Sequence, residues 1–253
     1  MFYHVICEYD SLFTLSKISN NIVFDDTNFS NTIYLRKDGI MGLAPTASPG
    51  SELFVEALKR QGIIDVLAFS IDYRYFFSKY SMTFGGIDTE RVPSLDNFTF
   101  TDLYEEDSWT VEITSMKYDN TEFGGQATKG FLHTNDLFLK LPPEDYKRWS
   151  SIVTSGKPCK KSGAEYRCSC TNQFDESLPS FDITFGGHTY KMKPENFVIH
   201  RTAPSGANSV CILQVHESED PSTVILGLPF LKNFDVYYDM EKKRIGIYQE
   251  GMM

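Results

Sequence analysis

The sequence predicts a mostly β chain, and three observations carry that expectation. Aromatics make up 14% of the 253 residues, with 20 Phe and 14 Tyr, and aromatic side chains suit pleated, half-buried surfaces. Several short runs alternate apolar and polar residues, the period of a strand with one buried face. Turn residues separate those runs at hairpin spacing. Gly at 17 and Pro at 11 are ordinary, and 41% hydrophobic with 23% charged residues is a globular composition. The length suits about one to two domains.

Charge and hydropathy remove whole classes of function. Acidic residues number 34 against 24 basic ones, for a net charge of −10, and the basic residues form no long block. A nucleic-acid backbone or an anionic membrane is therefore a poor partner. No apolar run reaches the length of a membrane span; Ile63–Ile71 is broken by Asp65. Met1–Glu8 has no basic leader and is cut short by Glu8, so it does not read as a signal peptide.

Taken in chain order, Val23–Asn31 reads as a strand and turn, with Asp25 and Asp26 at the turn. Asp38-Gly39-Ile40-Met41-Gly42-Leu43-Ala44 is a buried strand ending at a turn. Ser48-Pro49 has the chemistry of a helix start, Leu53, Phe54, Ala57 and Leu58 make an apolar stripe, and Gly62 ends it. Ser108–Tyr118 alternates, with Trp109, Val111 and Ile113 on one face and Thr110, Glu112 and Thr114 on the other. A second helix runs from Pro142-Pro143-Glu144 through Tyr146 and Trp149 to about Val153. Phe181–Phe185 turns at Gly186-Gly187 into Thr189–Met192, a hairpin. Val224–Leu231 again joins a short apolar strand, a glycine and a helix signal. Val236–Asp239 and Arg244–Tyr248 flank a four-residue turn, a closing hairpin.

Four of the five cysteines (Cys159, Cys168, Cys170, Cys211) lie in the second half. They read as two disulfides of an oxidising compartment, most simply Cys159–Cys168 and Cys170–Cys211, with Cys7 left over. The rival is a zinc site, for which one Cys-x-Cys without a spaced second pair is thin support; no cofactor or metal is expected. Asn28-Phe29-Ser30 and Asn97-Phe98-Thr99 are glycosylation sequons, permissive of a secretory route.

Together these segments resemble the pepsin-like aspartic peptidases. Asp38–Ala44 is similar to that family's Asp-Gly-Ile-Leu-Gly-Leu-Ala segment, and Phe54–Ile64 to the helix that follows it. Thr83-Phe84-Gly85-Gly86-Ile87-Asp88, Trp109-Thr110-Val111, Leu139–Glu144, Leu178–Phe185 with Cys211, and Ile225–Asp239 match further family segments in the same order. The resemblance implies two β-rich lobes with a peptide cleft between them, here 1–107 as a partial first lobe and 108–253 as a complete second lobe. It implies acid endopeptidase chemistry by two aspartates sharing one proton, each from an Asp-Thr/Ser-Gly loop. It also implies a secretory, extracellular or lysosomal/vacuolar setting.

The family's chemistry is not carried by these residues. The sequence contains neither Asp-Thr-Gly nor Asp-Ser-Gly. Aligned back from Leu141-Pro142, His133 takes the second catalytic aspartate's position, with Thr134, Asn135 and Asp136 following it. Histidine can act as a base, but it is not half of a carboxylate pair. Asp26 lies only twelve residues before Asp38, too near for the first loop. Ile40 and Asp136 remain as residues the resemblance would place near substrate. The expectation is an inactive homologue that retains peptide or protein binding. The alternatives are an active peptidase completed upstream or by another chain, and an interaction protein that pairs through the exposed edge of its first lobe.

Overall fold

The computed structural model describes residues 3–7, 41–76, 79–170, 178–202 and 209–249. Three antiparallel or mixed sheets dominate it, with helices as punctuation. The six-stranded sheet runs Tyr3–Cys7, Lys79–Phe84, Ala68–Phe76, Asp235–Asp239, Arg244–Tyr248, Thr99–Asp102. Two sequence-local hairpins meet within it: the closing one pairs Asp235–Asp239 with Ala68–Asp72 of the other in antiparallel register. An eight-stranded sheet is built around Thr110–Tyr118, and a four-stranded one around Glu165–Cys170.

Period-2 alternation explains how the six-stranded sheet buries both faces. Phe69 and Tyr238 face the main core, while Ala68 and Tyr237 face a second cluster with Ile87, Val92 and Phe98. Phe69 stacks on Tyr238 at 4.6 Å between ring centroids, and Trp109 meets both rings edge-on at 6.0 and 5.0 Å. This aromatic cluster joins the six-stranded sheet to the eight-stranded one.

The strand Thr110–Tyr118 departs from simple alternation. Val111 and Ile113 are buried, then Met116 and Tyr118, so the phase shifts by one residue. Phe185 pairs with Ile113 but Thr184 pairs with Ser115, which leaves Thr114 as the extra residue of a β-bulge. The bulge lets one strand keep an apolar side inward over its whole length.

The first helix also begins later than its sequence signal. Ser48-Pro49 closes a turn in which Ser51 N donates to Ser48 O at 3.0 Å. Gly50 sits there at φ +81°, off any helical path. The helix is Phe54–Arg60, started by Leu53 N donating to the Glu56 carboxylate at 2.8 Å. The second helix, Pro143–Thr154, buries Tyr146, Trp149, Ser150 and Val153 along one stripe. Among the described residues the remaining helices are single turns, at Leu95–Asn97, Pro194–Phe197 and Leu228–Leu231. Asp26 and Val23–Asn31 lie outside the described residues, as do Ile40 and Asn28.

A buried carboxylate in the first turn of that second helix holds the connection between Thr121–Glu122 and Lys129–Leu132. Asp145 is fully buried, and its oxygens accept from Gly125 N at 3.0 Å, Gln126 N at 3.2 and 3.3 Å and Ala127 N at 2.8 Å. Three backbone donors are thereby paired on one buried carboxylate.

Candidate functional site

The segment His133–Phe138 leaves the strand Lys129–Leu132 and crosses in front of Thr223–Leu226. The two strands run parallel, Leu132 opposite Leu226. His133 N donates to Leu226 O at 3.2 Å, and Leu228 N donates to Asp136 O at 2.8 Å, so the loop is stitched to the chain around Gly227 on both sides. That closeness requires glycine: a Cβ at Gly227 would lie 2.2 Å from Phe138 O and 2.6 Å from Asp136 O.

Within the loop, Asp136 faces inward to its own segment. Its Oδ1 accepts from Phe138 N at 3.0 Å and its Oδ2 pairs with Lys140 Nζ at 2.6 Å. Thr134 and Asn135 are exposed, and Leu137 at the loop tip is 63% exposed. Phe138 stacks on His216 with centroids 3.7 Å apart. Burial pushes the His216 imidazole below the ordinary histidine range; Glu165 and Asp136 oppose that and Lys140 adds to it.

His133 is half-buried, with its ring edge-on to Phe131 at 5.1 Å. Its Nδ1 is buried and has no hydrogen-bond partner. Nε2 is thus the ring nitrogen left open. The residue lines a cavity of about 290 Å³ whose apolar walls are Met41, Leu43, Phe69, Trp109, Phe131 and Tyr238. Thr134, Asn135, Asp107 and Ser108 supply the rest of its polar lining. The walls' own polar atoms are already committed. Trp109 Nε1 donates to Leu43 O at 2.6 Å, and the Tyr73 and Tyr238 hydroxyls bond each other at 3.0 Å. Burial raises both of these phenols above the ordinary tyrosine range.

His133, Thr134 and Asn135 are therefore together at this cavity, while Asp136, tied to Lys140, is not among the residues lining it. Asn97 is half-buried in the single-turn helix Leu95–Asn97, remote in sequence from every lining residue except those near Asp107. A second pair of carboxylates lies elsewhere. Asp72 and Asp235 stand opposite each other in register on the six-stranded sheet, 5% and 4% exposed, with Arg91 against Asp72. The void beside them is about 10 Å³, too small for a peptide.

Cys159 and Cys168 are disulfide-bonded across directly paired strands. Cys211 is also disulfide-bonded, and its partner side chain lies outside the described ones. Among the described residues no group of three or more His, Cys, Asp or Glu could hold a metal ion. Nor is any described helix long and apolar enough to cross a membrane.

The pairing inside the aromatic wall was beyond reach of sequence reasoning. Phe69, Trp109, Phe131 and Tyr238 are separated by at least 22 residues, and no local signal links them. His216 lacked a motif as well; only its place in the short strand Val215–Glu217, parallel to Leu139–Leu141, brings it under Phe138.

A mostly β architecture with strands contributed from both ends of the chain, and a cavity against a loop crossing a parallel strand pair, defines a class of protein. The chain belongs to the eukaryotic aspartyl protease family, whose model matches residues 13–250. Among curated relatives, the probable aspartic-type endopeptidase CTSD of Arthroderma otae is 24% identical over 217 residues, covering 83% of this chain and 54% of that protein. Renin-2 of Mus musculus is 22% identical, covering 83% and 52%, and gastricsin of Rattus norvegicus is 24% identical, covering 86% and 55%. The chain thus spans about half the length of the curated relatives it matches. The crystal structure of aspartic proteinase from Irpex lacteus shares the fold, with a TM-score of 0.68 at 21% identity over 87% of this chain and 70% of that one.

Proposed function

We propose that this chain is a non-catalytic member of its family whose cleft binds peptide or protein. The observation that carries the reading is the imidazole of His133 at the position the resemblance assigns to the second catalytic aspartate. The family mechanism needs two carboxylates sharing a proton. An imidazole whose Nδ1 is buried without a partner is a poor substitute. To take a proton from water at Nε2, the ring must carry its own proton on Nδ1, an unpaired buried donor that costs about 1–3 kcal/mol. The absence of any Asp-Thr-Gly or Asp-Ser-Gly in the sequence supports the same reading. We divide the chain, on the same resemblance, into a first-lobe portion, 1–107, and a second lobe, 108–253. The disulfide at Cys159–Cys168 favours an oxidising, secretory-pathway setting.

A second reading is favoured by the chain's coverage of only about half of its relatives. In it, a separate segment supplies the first catalytic loop and the assembly is an active endopeptidase. A third uses the strand Tyr3–Cys7, which stands at the edge of the six-stranded sheet among the described residues, as a pairing surface for a partner.

The test is cleavage of unfolded casein by the purified, folded chain from pH 2 to 7, with and without a statine-type transition-state mimic. The proposal expects no cleavage across the range. Acid cleavage that the mimic blocks would overturn it.

A further inference from the structure

Four residues form one row across the four-stranded sheet. In antiparallel register His200 stands opposite Cys211, Cys211 opposite Cys168, and Cys168 opposite Cys159. Directly opposed residues on antiparallel strands share a face, and their Cα atoms lie about 4.5–5.5 Å apart, a separation that a disulfide can bridge. Cys168 is therefore flanked by two cysteines, and the register lets it bond either one. It is bonded to Cys159, while Cys211 is bonded elsewhere. Besides these three the sequence holds Cys7 and Cys170, so one of those two is the partner of Cys211.

The row also has the geometry of thiol–disulfide exchange. A thiolate attacks along the axis of the bond it breaks. Cys211, Cys168 and Cys159 follow one another in line across three strands, which puts Cys211 behind the Cys159–Cys168 bond. Beside Cys211 Sγ, His200 places Nδ1 at 3.5 Å and Nε2 at 3.9 Å. A ring N–H donating there favours the Cys211 thiolate. The departing end is favoured as well. Cys159 is half-buried on Cys159–Ser162, the outermost strand of that sheet among the described residues. Lys157, Lys160 and Lys161 lie within two residues of it, and neighbouring ammonium groups stabilise a thiolate leaving group. Cys168, the sulfur under attack, is buried, so a thiol from solution does not compete for it.

We propose that these three cysteines form a disulfide relay, through which attack by a small thiol on the bond of Cys211 frees a thiol at Cys159. A thiolate of the glutathione class attacks the sulfur bonded to Cys211, forms a mixed disulfide there and releases Cys211 as thiolate. Cys211 Sγ then bonds Cys168 Sγ and the Cys159–Cys168 bond breaks. Cys159 Sγ leaves with the electron pair and takes up the proton that the small thiol gave up. Two disulfides become two disulfides, one mixed and one Cys168–Cys211, so no oxidant or reductant is consumed. Cys159 becomes a modifiable thiol on a basic sheet edge. None of this depends on whether the cleft binds peptide.

The test treats the full, folded chain with reduced glutathione at pH 7.5 without oxygen, quenches it with excess N-ethylmaleimide and maps the label and the linked peptides by mass spectrometry. An untreated sample gives the background. New label is expected on Cys159 and not on Cys168, with a Cys168–Cys211 link and glutathione on the former partner of Cys211. His200→Phe should slow the appearance of the Cys159 label about tenfold, the effect of one pKa unit in the Cys211 thiolate. The double variant Cys7→Ser/Cys170→Ser removes either partner of Cys211 and leaves the three relay cysteines. Without any glutathione it should carry more label on Cys159 than on Cys211, and none on Cys168. Equal label on Cys159 and Cys168 in the wild-type chain means direct opening of that bond and overturns the relay. So does label confined to Cys211, or no new label at all. The wild-type measurement decides even where the double variant does not fold.

Discussion

Two buried residues outside the cavity decide how firmly the site is held. His216 lies under Phe138 at 3.7 Å, and burial holds its imidazole below the ordinary range. An unfolded histidine titrates near pH 6.5. Because the folded value is lower, the folded state takes up its proton later than the unfolded one. The stability from neutral His216 is therefore present above about pH 6.5 and is lost as pH falls through the folded value. Chemical denaturation at pH 7.5 and 5 should show wild type losing more stability than His216→Phe; equal losses would remove His216 as the cause. Asp145 is the other such residue. Asp145→Asn keeps one oxygen but turns an amide N–H₂ toward backbone donors at Gly125, Gln126 and Ala127. A loss of about 2–4 kcal/mol is expected from urea denaturation, and a loss below about 1 kcal/mol would mean that the connection holds itself. Neither residue was legible in the sequence. Asp145 looks like an ordinary acidic residue in a helix's first turn, and only the fold brings three amides to it.

At the scale of elements, the loop His133–Phe138 depends on its contact with Gly227 more than on its own composition. Gly227→Ala would push a methyl into the carbonyl oxygens of Phe138 and Asp136, which have no rotamer by which to yield. The expected cost is roughly 3 kcal/mol, with the Trp109 environment disturbed as well. Gly42→Ala is the matched control, since nothing lies within 4 Å of its added Cβ; it should stay within about 0.5 kcal/mol. Similar values for the two would refute the close-approach argument. The helix Pro143–Thr154 and the hairpins at Phe181–Met192 and Asp235–Tyr248 were readable from period and turn chemistry. The start of the first helix was not, because Ser48-Pro49 carries the same chemistry in a turn as at a helix N-terminus. The bulge at Thr114 was hidden too, since register is a property of two strands, not one.

At the scale of the whole molecule, the closing hairpin Asp235–Tyr248 fills the middle of a sheet whose other strands come from the first 102 residues. Its removal would leave Ala68–Phe76 and Thr99–Asp102 without their neighbours and expose Phe69 and Trp109. Deleting residues 235–253 should abolish hydrogen-exchange protection in Ala68–Asp72 and Thr99–Asp102, while a chain still protected there would show that the sheet stands without the hairpin.

The order of short strands, glycine turns and family-like segments determined the architecture, because those signals are local and period is written residue by residue. The same letters also excluded an Asp-Thr/Ser-Gly pair. What surrounds His133 was decided by tertiary structure alone. An orphaned Nδ1, an aromatic wall drawn from four distant segments, and a charge-poor cavity are consequences of which strands pair. Burial of a polar atom is set by the neighbours that exclude water from it, and those neighbours are assigned by the fold.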